Sequence, residues 1–75
     1  MGLARPEDQP AVEAAAVEFV KLCDEKGFKN LTVIQTSIAV GAAVIIDEAG
    51  GDRTYAKELM ERYIKSLESA VLSDL

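Results

Sequence analysis

The chain has no histidine and no tryptophan, and its one cysteine is Cys23. A single cysteine excludes an intrachain disulfide. With no histidine beside it, the usual cysteine and histidine ligands of a structural zinc site are missing too. A Ser/His/Asp or Cys/His constellation has no imidazole to act as its base. Cys23 therefore reads as a small buried hydrophobe, because a reactive thiolate needs a neighbouring base or cation. On these grounds no catalytic residue, metal ligand or cofactor is assigned from the sequence.

Charge of one sign is also missing as a block. Thirteen acidic and eight basic residues give a net charge of −5, and the two signs are interleaved along the chain. This predicts a solvated, soluble surface rather than an acidic tail. Nucleic-acid binding, which normally shows a basic face and aromatics for stacking, is disfavoured. The opening Met1-Gly2-Leu3-Ala4-Arg5-Pro6-Glu7-Asp8 lacks an apolar core and turns acidic at once, so no secretory signal is expected. Gly2 has Pro6 where a myristoylation signal carries serine or threonine. Together with the lone cysteine these features fit a reducing cytoplasm.

What the chain does contain is a run of 17 uncharged residues, Asn30 to Ile46, lying between Lys29 and Asp47. Seventy-five residues make one domain, and a core of that size is marginal on its own. Small folds offset the deficit with disulfides, metals or association, and association is the route these residues leave open.

The first nine residues read as a short tail ahead of a single helical domain over 10–75. Pro10 suits the first turn of a helix. From Ala11 to Lys26, Val12, Ala15, Ala16, Phe19, Val20, Leu22 and Cys23 fall on one half of a helical wheel, and Gly27 stands where a left-handed cap belongs. The central run carries β-branched residues but no apolar/polar alternation, and Ala39, Ala42 and Ala43 favour helix. It reads as a second helix over about 31–49, started by a Thr32-x-x-Gln35 capping box or by Asn30, with a strand or hairpin as the alternative. On the wheel Val33, Val40 and Val44 form one ridge, and Ile34, Ile38 and Ile45 form another. Ser37 and Gly41 lie between them at a spacing that suits close helix packing. A third side holds Thr32, Thr36, Ala39 and Ala43. Gly50 and Gly51 then supply a turn, and Asp52 an N-cap for a third helix over about 53–73. On that helix Tyr55, Leu59, Tyr63 and Leu67 share the apolar half, while Glu58–Arg62 and Glu61–Lys65 are favourable i,i+4 pairs.

The expectation is an all-α three-helix unit packed as a homo-oligomeric bundle. The amphipathic first and third helices would cover the two ridges of the second. The strip Thr32, Thr36, Ala39, Ala43 and Ile46 would then meet a second copy or a protein partner. No membrane span is expected, because the uncharged run rises about 26 Å against a hydrocarbon core of about 30 Å. The function this favours is a small non-enzymatic interaction or regulatory module acting as an oligomer. The alternative is a ligand-binding, possibly enzymatic, bundle with a site between subunits around Tyr55, Tyr63, Arg53, Arg62 or Asp47. A DNA-binding regulator ranks third. Asp47, Glu48 and Asp52 could also hold a hard cation, although their order does not match an EF-hand loop. Gly50-Gly51 leading into a helix suggests a phosphate cradle, but Asp52 would repel an anion there.

Overall fold

Three helices account for most of the described residues in the computed structural model, which describes residues 3–75: α1 (Gln9–Glu25), α2 (Asn30–Ala49) and α3 (Arg53–Ser73). Among the described residues there is no strand, so the central run is helical throughout. A single 3₁₀ turn, Pro6–Asp8, precedes α1. Arg5 pairs there with Asp8 at 3.2 Å and with Glu7 at 3.8 Å. All three side chains are well exposed, so these pairs contribute little.

Local chemistry explains each boundary. α1 ends in a Schellman arrangement: Gly27 takes a left-handed φ of 73°, its N–H donates to the Asp24 carbonyl, and the Phe28 N–H donates to the Cys23 carbonyl, both at 3.0 Å. α2 begins one residue before the expected start, and the Lys29 carbonyl accepts the Val33 N–H at 3.0 Å. Thr32 therefore lies inside the first turn and is not its cap. Hydroxyls within α2 turn back on the helix: Thr36 Oγ1 donates to the Thr32 carbonyl at 2.8 Å, and Ser37 Oγ to the Ile34 carbonyl at 2.7 Å. Such back-bonding satisfies a hydroxyl on an otherwise apolar helix. Gly50 and Gly51 both have positive φ, 57° and 92°, and carry the chain out of α2. Asp52 is the N-cap of α3: its Oδ1 accepts the Tyr55 N–H at 3.1 Å, an interaction worth about 1 kcal/mol.

The molecule divides into two units, Ala4–Gly41 and a second built on Ala42–Leu75, with α2 contributing one half to each. In the first, Cys23 is the buried side chain at 2% exposure, and Phe19, Val33, Thr36 and Ser37 are half-buried. In the second, Leu59 is buried at 9% exposure, and Ile45, Ala49, Tyr55, Ala56 and Tyr63 are half-buried. Those α3 positions recur at helical spacing, so α3 presents one continuous face.

The structure departs from expectation in the covering of α2. Of the two ridges only Val33 and Ile45 are half-buried, and the other four members are 47–61% exposed. The reason is that neither α1 nor α3 packs closely along α2, so its ridges lack a neighbour to cover them. On α1, Val12, Val20 and Leu22 remain exposed for all their place in the apolar arc. The i,i+4 pairs expected on α3 are not closed to contact distance. Pairing two exposed side chains costs rotamer entropy that the solvent-screened attraction barely offsets.

Candidate association face on the second helix

No residue of α2 is fully buried. Leu31 is 80% and Ile46 72% exposed, and Ile34, Ile38, Val40 and Val44 are exposed beside them. The strip singled out from the sequence lies on this helix as the periodicity requires. Thr32, Ala39, Ala43 and Ile46 are exposed, and Thr36 is half-buried with its hydroxyl turned to the backbone. A soluble monomer rarely leaves a contiguous apolar surface of this extent open. By length and composition α2 also qualifies as a helix able to cross a membrane. Asp47 and Glu48 belong to the helix, however, and confine its uncharged part to Asn30 to Ile46.

The residues of the alternative site sit differently. Arg53 lines an open depression on the first turns of α3 together with Thr54, Ala56, Lys57 and Met60. Tyr55 is engaged elsewhere: its hydroxyl donates to Glu48 Oε2 at 3.0 Å, tying the last turn of α2 to the first turn of α3. The acceptor bond to Glu48, and then its negative charge, hold the Tyr55 phenol above the ordinary tyrosine value, while Arg62 acts in the opposite direction. Tyr63 is half-buried and Asp47 exposed. Two of the three carboxylates near the turn have separate tasks: Asp52 caps α3 and Glu48 accepts from Tyr55. Among the described residues no three metal-ligating side chains gather at one point.

The Tyr55–Glu48 bond was not legible on a helical wheel, since it joins two helices across the Gly-Gly turn. It leads to a pH prediction. A phenol whose folded value is raised stabilises the fold while protonated, and that contribution is lost as pH rises through the folded value. In a Tyr63→Phe variant, alkaline ultraviolet titration is expected to show Tyr55 ionising above about 10, and Glu48→Gln should bring it down. An unshifted titration in the parent would show the bond is not held in solution.

No known protein family, curated protein sequence or solved structure matches this chain.

Proposed function

We propose that the protein is a small, non-enzymatic helical association module that acts in the cytoplasm as a homo-oligomeric bundle and presents helical surface to other proteins. The observation that supports this reading most is the exposure of α2, whose large apolar side chains stand open from Leu31 to Ile46. Two further features agree with it. Each unit has fewer than about 40 residues, a size that usually folds only with a disulfide, a metal or a partner chain. The one cysteine is buried and free, so association is the stabiliser the chain retains.

The test is size-exclusion chromatography with light scattering over a range of concentration. A mass of twice 8.1 kDa or more at tens of micromolar is the expected result. A particle of single-chain mass at that concentration would sink the proposal.

A further inference from the structure

We infer that one further copy of this chain completes the fold, covering α2 on more than one side, and that a separated chain has no fixed packing. This rests on the homo-oligomeric reading above and adds to it a copy number, the extent of the contact and a coupling of packing to association. Surface area carries it. The chain exposes 6482 Å². A folded monomer of 8.1 kDa exposes about 4500 Å². Each copy therefore leaves open about 2000 Å² more than a finished fold of its mass. Covering that on two copies removes about 4000 Å² in all, inside the range of about 2000–5000 Å² that marks obligate homodimers. Preformed surfaces that merely dock bury about 1600 Å².

The open apolar surface lies on every helix. On α2, Ile34 and Ile38 stand on one side and Val40 and Val44 on another, about 120° away, and all four are exposed. One flat surface cannot reach both sides. The strip Thr32, Thr36, Ala39 and Ala43 fills the third, and Thr36 brings no unpaired hydroxyl there because its Oγ1 is bonded to the Thr32 carbonyl. Val20 and Leu22 on α1, and Met60, Ile64 and Leu67 on α3, are exposed as well. Those two helices have the apolar arcs that α2 needs, yet neither packs closely along it within the chain. A second copy brings one more of each, so the open faces find their counterparts in the same sequence, as an isologous contact requires.

Coupling follows from how little one copy buries. Among the described residues Cys23 and Leu59 are the buried apolar side chains, one in each unit. A unit of fewer than about 40 residues with a single buried group is too small to hold its packing alone. Lipid suits these faces less well. The polar half of α1 carries Glu13, Glu18, Asp24 and Glu25 against Lys21, whereas helices that lie on a bilayer carry lysine and arginine there. Asp47 and Glu48 stand in the last turns of α2, where a spanning helix would have to bury or expel them.

The experiment uses the native full chain in a dilution series, with mass read by light scattering, the thermal midpoint by circular dichroism and exposure of the Cys23 thiol by its rate of labelling with a chromogenic disulfide. The expected particle has twice the mass of one chain. Its midpoint should rise by about 4 °C for each tenfold rise in concentration, because association stabilises the packed state by mass action. Above the dissociation constant, Cys23 labelling should slow about threefold over the same step, following the fraction of separated chains. A dimer whose midpoint and labelling rate ignore concentration, or one that dilutes to a monomer still protecting Cys23, overturns the inference and leaves the oligomer reading intact. A particle of more than two copies does the same. A monomer throughout overturns both. Co-sedimentation with phosphatidylcholine vesicles at the expense of the dimer would give the open faces to lipid and overturn the inference.

Discussion

Ala39→Glu is expected to raise the dimer dissociation constant at least about a hundredfold, equivalent to about 3 kcal/mol, while α2 stays helical. Alanine and glutamate are both good helix formers, so the local cost on an exposed helical position is a few tenths of a kcal/mol. The large effect arises at the contact. On the proposed association strip each copy brings a new carboxylate into the contact, so one substitution introduces two charges that association must desolvate together. Ala39→Ser adds a small group without charge and should stay within about tenfold of the parent. Analytical ultracentrifugation across a dilution series measures both. A glutamate variant that associates as tightly as the parent would show that this face is not where the copies meet.

Leu59→Ala should cost about 2–4 kcal/mol of unfolding free energy, the largest effect expected of any single truncation on α3. Leu59 is the one buried side chain of the unit built on residues 42–75, where the rest of the α3 face is half-buried or open. A unit with so few buried groups cannot redistribute the loss. Total stabilities of small domains are about 5–15 kcal/mol, so a deletion of this size removes a large share. For a chain of this length it lowers the midpoint of thermal unfolding by at least about 10 °C. Leu59→Met keeps most of the volume and should cost less than about 1.5 kcal/mol. Urea unfolding followed by circular dichroism, at one fixed concentration because association contributes to stability, separates the two. Equal midpoints for Leu59→Ala and the parent would mean that Leu59 is not packed as described.

Helix boundaries were largely legible because their causes are local. Gly27, the Gly50-Gly51 pair and Asp52 act within a few residues of where they stand, and each has the backbone role its chemistry implies. The error at the start of α2 was local as well: the two cap signals, Asn30 and Thr32, both fall inside the first turn, and the Lys29 carbonyl accepts the first helical N–H. The strip Thr32, Thr36, Ala39, Ala43 and Ile46 was legible as a run of mostly small side chains, and all but Thr36 are exposed. The Tyr55–Glu48 bond was not, because a wheel treats each helix alone. Nor was the poor covering of α2. Apolar arcs on α1 and α3 matched its ridges in width, but a wheel carries no information about whether a neighbour packs against them, and neither does so closely.

Three amphipathic or apolar helices, their caps and turns, a free cysteine and a −5 surface all follow from residue types and near-neighbour spacing. Those depend on interactions spanning at most one or two helical turns, and composition specifies them. Which apolar faces are buried depends on contacts between residues far apart in the chain. There the structure assigned one half of α2 to each unit and left its side chains from Leu31 to Ile46 largely open. Periodicity indicates that a face seeks cover. Whether a neighbouring helix packs close enough to provide it is decided by tertiary contacts, and here those are few.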